Sequence, residues 1–167
     1  MEVREKMSEK IKIYTDGSSL GNPGPGGFGI VLKYKGNIKE ISQGFRLTTN
    51  NRMELMAVCV ALESLKTRAL PVVVYSDSKY VIDSITKGWV YAWYQKQFKG
   101  KKNKDLWLRF LKLENQFKLE FIWVKGHAGH PENERCDKLA VQAAQNKPIN
   151  IDAPFEQENN NANEDLM

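Results

Sequence analysis

Four carboxylates stand where solvation alone gives them little reason to be. Asp16 closes the run "KIKIYTD" and Asp77 closes "PVVVYSD". Glu54 falls in the first turn of "NNRMELMAVCVALESLK", and Asp137 lies inside "HPENERCDKLAVQAAQN". On a helix Glu54 shares its face with Val58, Ala61 and Leu65, so the acid points inward; Asp137 shares a face with Ala140, Val141 and Ala144. Each has a structural reading when taken alone. Asp before Gly or Ser begins turns, Glu54 could sit at a positive helix N-terminus, and Asp137 could pair with Arg135 or Lys138, although adjacent helix positions face apart. Taken together, converging carboxylates repel and hold protons unless a cation neutralises them. Hard oxygen ligands at two strand ends and on two helices suit Mg²⁺ or Mn²⁺. Two such ions roughly 4 Å apart clamp the attacking and leaving oxygens of a phosphoryl displacement. No nearby Ser or Cys with a paired base offers a covalent route.

His127, in "VKGHAGHPENERCD", falls in a Gly-flanked loop ten residues before Asp137. An imidazole on such a loop suits proton transfer to a leaving alkoxide. A zinc site from His127, His130 and Cys136 is a rival reading, but it lacks a C-x-x-C partner. Cys59 and Cys136 both fall in helix-like stretches, which argues for free thiols in a reducing, cytoplasmic setting.

These residues need elements to position them. "KIKIYTD" alternates with Ile11, Ile13 and Thr15 in phase, the pattern of a strand with one buried face. "GFGIVLKYKGNIKEISQGFRL" reads as an antiparallel hairpin about Lys35-Gly36-Asn37. The Glu54 segment follows an Asn cap signal and is apolar nearly all round, a buried helix. "PVVVYSD" reads as a strand covered on both faces. "SKYVIDSITKG", "WVYAWYQKQF" and "NKDLWLRFLKLENQ" read as helices, "KLEFIWV" as a strand, and the Asp137 segment as a closing helix with Pro131 in its first turn. The order β-β-β-α-β-α-α-α-β-α predicts an α/β domain, one mixed sheet with helices packed on it.

The chain carries 167 residues at a formal net charge of +5. Lys147 to Met167 holds one Lys against five acids, a net of −4, which leaves the body at +9. This sets expected boundaries: a loose leader over 1–9, a domain over 10–146, and an acidic, Asn-rich tail over 147–167 with too little to bury to stay ordered. No apolar run approaches a membrane span, so no membrane partner is expected. A basic body favours a polyanion. From Lys87 to Lys112 eight Lys or Arg residues face the single acid Asp105, interleaved with Trp89, Tyr91, Trp93, Tyr94, Phe98 and Trp107. Some of these aromatics must be core, Trp107 with Phe110 and Leu111 first among them. Lys96, Lys99, Lys101, Lys102 and Lys104 are dense enough for a phosphate-binding surface.

Gly24, Gly26 and Gly29 satisfy the G-x-G-x-x-G spacing of a dinucleotide turn. That fingerprint should open a helix. Here Pro25 interrupts it and a strand pattern follows, so no dinucleotide cofactor is expected and the glycines read as a tight turn into the hairpin.

"YTDGSSLGNPGPGG", "TTNNRMELMA", "YSDSKYV", "DLW" and "WVKGHAGHPENERCD" together resemble type 1 ribonuclease H of the bacterial cellular kind, from about Lys10 to Asn146. The resemblance implies a five-stranded mixed sheet of order 3-2-1-4-5 flanked by helices. It implies endonucleolytic hydrolysis of the RNA strand of an RNA–DNA hybrid, with 5′-phosphate and 3′-hydroxyl ends, by a monomer using two Mg²⁺ ions or Mn²⁺ in their place. Asp16, Glu54, Asp77 and Asp137 are then the metal-binding catalytic carboxylates, and His127 assists turnover. By the same resemblance Gly17 lies near the RNA backbone and Asn50 and Asn51 reach the minor groove. Asn22 and Thr49 line a pocket for a DNA-strand phosphate, and Lys87 to Lys104 form a basic protrusion with Trp89 and Trp93 near the DNA. That protrusion is shorter than in the best-known relatives. Leu47 stands where relatives often carry a basic residue, with Arg46 beside it. A non-catalytic hybrid-binding module and an integrase-like or resolvase-like DNA enzyme are the alternatives.

Overall fold

The alternation in "IKIYTD" becomes β1 (Ile11–Ser19), with Ile11, Ile13 and Thr15 buried and Lys12 exposed. It sits in the middle of a five-stranded sheet in a computed structural model that describes residues 10–165. β2 (Gly24–Tyr34) pairs antiparallel with β1 and with β3 (Asn37–Thr48), while β4 (Val72–Ser76) and β5 (Leu119–Trp123) continue the other side in parallel. The strand order is β3-β2-β1-β4-β5, as the resemblance implies. Lys35 and Gly36 make the hairpin turn with φ of 46° and 80°, two left-handed residues whose twist matches the flanking strands.

Helices cover both faces. α1 (Asn50–Glu63) packs along β1, and ten of its fourteen residues are buried. Its cap is Thr49 rather than an Asn: the Thr49 hydroxyl accepts from the Arg52 N–H at 3.2 Å. α2 (Lys79–Thr86), α3 (Trp89–Gln95) and α4 (Lys104–Glu114) follow β4. The core between α1 and α4 closes on Trp107 and Phe110, both fully buried. α5 (Pro131–Gln145) crosses β1, β2 and β3 on the remaining face. Among the described residues no helix is long and apolar enough to cross a membrane.

Two expectations change. The glycines of the G-x-G-x-x-G spacing lie inside β2, not in a turn or at a helix start. A Cβ on Gly29 would stand 2.3 Å from the Cys136 carbonyl and 2.7 Å from the Leu139 Cβ, so bare backbone at this point lets α5 sit directly on the sheet. The tail expected to be disordered instead forms α6 (Ala153–Asp165). Composition suggested disorder because α6 buries none of its own residues. What fixes the segment is Asp152, 2% exposed, whose carboxylate accepts from Arg52 Nε at 2.7 Å, Arg52 Nη2 at 2.9 Å and the Thr48 hydroxyl at 2.7 Å. The expected leader over 1–9 lies outside the described residues.

Candidate active site

β1 and β4 run parallel, and their carboxyl ends bring Asp16 and Asp77 to one edge of the sheet. α1 adds Glu54, which falls just past the first turn in which the sequence pattern places it, because the N-terminus of α1 lies on the end of β1. That contact requires Gly17: a Cβ there would meet the Glu54 nitrogen at 2.4 Å and the Met53 carbonyl carbon at 2.6 Å. The Gly17 N–H then serves both acids, donating to Asp16 Oδ1 at 3.0 Å and to Glu54 Oε1. Oxygens of Asp16, Glu54 and Asp77 all lie within 4.8 Å of one another. Asp16 is 5% exposed and Glu54 4%.

Asp137 arrives by a separate route. Asp16 is opposite Gly29 in the ladder, so the residue that admits α5 to the sheet also brings the α5 acid beside Asp16. Asp137 is half-buried and lines the same open cleft, about 410 Å³, as the other three acids. His127 lines it too, exposed and with a left-handed φ of 55°.

The electrostatics are those of like charges forced together. Burial, followed by the nearby charges of Glu54 and Asp77, pushes the Asp16 carboxyl far above the usual carboxylate range. Burial also raises Glu54, with Asp77 adding to it and hydrogen bonds from Asp16, Gly17 and Ser78 opposing. A divalent cation among these oxygens would offset both the burial penalty and the like-charge repulsion.

Several contributors were not singled out from sequence. Ser78 caps α2, accepting from the Val81 N–H at 3.2 Å, and also reaches Glu54. Trp123 donates its indole N–H to the Asp77 carbonyl at 3.1 Å, and the Lys79 ammonium lies 4.8 Å from the Trp123 ring centroid. Gly126 passes so close to Asp77 that a Cβ would stand 2.7 Å from Asp77 Oδ2. The stretches "YSDSKYV" and "WVKGHAGHPENERCD" contain these positions, but only the packing assigns them a task.

The remaining candidates occupy two further surfaces. At the N-terminus of α1 the Asn22 side-chain oxygen accepts from the Asn50 N–H at 3.1 Å, beside the Thr49 cap; Asn50 and Asn51 line the acidic cleft itself. The second surface runs from Trp89 to Lys104 and none of its residues lines the cleft. Lys96, Lys99, Lys101, Lys102 and Lys104 are all exposed. Trp89 is 44% exposed under the Lys87 ammonium, whereas Trp93 is half-buried edge-on to Trp107 with the Lys101 ammonium 5.2 Å from its centroid. The zinc alternative loses its thiolate. Cys136 is fully buried, its Sγ lies 3.2 Å from the Tyr14 carbonyl, and burial pushes the thiol up.

This sheet order and its acidic edge define the ribonuclease H-like fold. A crystal structure of LC9-RNase H1, described as a type 1 RNase H with the type 2 active-site motif, superposes with a TM-score of 0.74 at 36% identity, over 83% of this chain and 74% of that one. LC11-RNase H1, solved in complex with RNA/DNA hybrid, gives 0.64 at 29% identity, over 82% of this chain and 98% of that one. The RNase H family model matches residues 8–145. Ribonuclease H of Rippkaea orientalis is 51% identical over 89% of this chain and 93% of its own, and that of Desulforamulus reducens is 53% identical over 86% and 93%. The chain belongs to the ribonuclease H family, of the type 1 cellular kind, and is a hydrolase.

Proposed function

We propose that this enzyme hydrolyses the RNA strand of RNA–DNA hybrids endonucleolytically with two divalent cations, Mg²⁺ or in its place Mn²⁺, leaving 5′-phosphate and 3′-hydroxyl ends. One observation carries the reading: three carboxylates, two of them buried, have oxygens within 4.8 Å of one another. An all-oxygen donor set of this density fits hard cations, and burial with mutual repulsion raises the Asp16 and Glu54 carboxyls, which a bound cation would offset. When bound, such ions lower the pKa of the attacking water and stabilise the departing 3′-oxygen.

Asp16, Glu54, Asp77 and Asp137 would hold the ions, with Asp16 surrounded by the other three acids. The Gly17 N–H holds the Asp16 and Glu54 carboxylates in place, and Gly17 itself lines the cleft, near where an RNA backbone would lie. His127, exposed at the rim, exchanges a proton with the leaving oxygen or helps release product. Asn50 and Asn51 line the cleft where the minor groove would lie, Asn22 and Thr49 flank a DNA-strand phosphate, and Trp89 with the Lys96–Lys104 lysines follows the DNA strand. Selectivity for hybrid follows if one strand must present 2′-hydroxyls while the other takes DNA-like geometry. A relative solved with RNA/DNA hybrid supports that substrate. Both cysteines are buried free thiols, in keeping with a cytoplasmic protein, and the reading takes the enzyme as a monomer.

Incubation with hybrid, duplex DNA and duplex RNA, each with and without Mg²⁺, tests the proposal. RNA cleavage confined to the hybrid and dependent on metal supports it. Cleavage of duplex DNA would favour the integrase-like alternative, and binding without cleavage the non-catalytic module.

A further inference from the structure

Arg46 lies near the end of β3, three residues before the Thr49 cap. Its backbone N–H donates to the Asn150 carbonyl at 2.9 Å. Its guanidinium forks onto Glu156 of α6: Nε reaches the two carboxylate oxygens at 3.2 and 3.0 Å, and Nη2 reaches Oε1 at 2.8 Å. The Arg46 side chain is 54% exposed, while that of Glu156 is only 14% exposed. The arginine thus remains at the surface, three residues along the chain from Thr49, with a carboxylate lodged in its fork.

The helix that supplies this carboxylate has an unusual make-up. From Ala153 to Asp165 it carries Glu156, Glu158, Glu164 and Asp165 and no Lys or Arg, and none of its residues is buried. Apolar burial therefore does not hold it down. It hangs from the Asp152 anchor, with the Phe155 ring 6.0 Å from the Arg52 guanidinium. On its other side a cleft of about 440 Å³ is shared by Pro154 and Glu158 with Lys101 and Lys104. One acidic helix therefore lies against Arg46 on one flank and borders the basic segment on the other.

We propose that Arg46 is a latent ligand for a backbone phosphate of the nucleic acid, and that Glu156 occupies it as an internal competitor. The inference rests on the hybrid reading given above. The planar fork of arginine accepts carboxylate and phosphate in the same bidentate geometry. An exposed ion pair is weak, and a polyanion gains by counterion release on binding, so the duplex can displace Glu156. Because Asp152 stays anchored, α6 can yield Arg46 while its base remains attached.

Glu156→Gln keeps the shape of the surface and removes the competing charge. It is expected to lower KM and Kd for a short RNA–DNA hybrid about threefold with kcat unchanged, the size of one exposed ion pair. The slope of log affinity against log salt should steepen by about one. Adding Arg46→Gln to that variant should return both quantities to the parental values. Unchanged or weaker affinity in Glu156→Gln, or a gain that persists in the double variant, overturns the proposal. A parent protein that never cuts hybrid would overturn the reading of the active site. An active parent whose KM matches that of Glu156→Gln overturns only the role of α6.

Discussion

Asp16 and Asp152 are almost equally hidden, at 5% and 2% exposure, but their surroundings are opposite. Asp152 accepts two hydrogen bonds from Arg52 and one from Thr48, and Arg52 donates further to Asp105 at 2.7 and 2.8 Å and to the Asn103 side-chain oxygen at 3.4 Å. The nearest charges to Asp16 are Glu54, Asp77 and Asp137. Burial costs both aspartates their hydration. In one place the protein itself returns the lost interaction, and the result is a structural joint between α1, α4 and the C-terminal segment. In the other the Gly17 N–H donates to Asp16 but the neighbouring charges are all acids, an arrangement that a cation would balance. The difference separates buried charge that holds the fold from buried charge that awaits a ligand.

The comparison can be broken most severely at the acidic edge. Glu54→Gln should reduce hybrid cleavage by at least roughly a thousandfold, about 4 kcal/mol of transition-state stabilisation, in a steady-state assay with Mg²⁺, with the fold intact by circular dichroism. At the joint the effect should fall on stability instead. Arg52→Met strands Asp152 in the interior and should cost about 3 kcal/mol in urea denaturation, with kcat close to that of the parent. Smaller and of opposite sign is the expected result of Asp16→Asn without divalent metal: relieving like-charge repulsion should stabilise the protein by about 1 kcal/mol, seen as a rise in Tm in the presence of chelator. The smallest effect concerns acid. Burial alone would raise Asp105, but hydrogen bonds and charge from Arg52 hold it below the usual range. A depressed folded pKa gives stability that is complete above the unfolded value and is lost as pH falls through the folded one. Below about pH 4 the parent should therefore lose Tm more steeply than Asp105→Asn.

The same contrast marks what could be read from sequence. The strands and helices up to Gln145 were legible within their own segments, β1 through its alternation, β4 through a continuous apolar run and α1 through an apolar surface nearly all round, since burial against the sheet marks each locally. The acids were legible because they violate those patterns. Asp16 and Asp77 each follow an apolar run, Asp77 just past the end of β4 and Asp16 inside β1 where its pairing with β4 stops, and Glu54 interrupts an apolar helix face. Arg52 was not legible, although it sits two residues from Glu54, because its partners Asp105 and Asp152 lie 53 and 100 residues away. For the same reason α6 looked like a solvated tail: it is held by long-range ion pairs, Arg52 with Asp152 just before it and Arg46 with its own Glu156, and not by apolar burial. The glycines misled for a third reason. Their spacing suggests a loop, but what Gly29 accommodates is α5, a helix more than a hundred residues later, and no local pattern records that contact.

The central claim is that the unpaired carboxylate cluster is a metal-dependent catalytic centre acting on RNA within a hybrid. Its most direct test is a single comparison of parent and Asp16→Asn on a hybrid labelled in the RNA strand, with cleavage and binding measured in parallel in the presence and absence of Mg²⁺. The expected result is RNA cleavage by the parent only with metal, none by the variant, and hybrid binding retained by both. Cleavage by the parent in chelator, or full activity in Asp16→Asn, would contradict it.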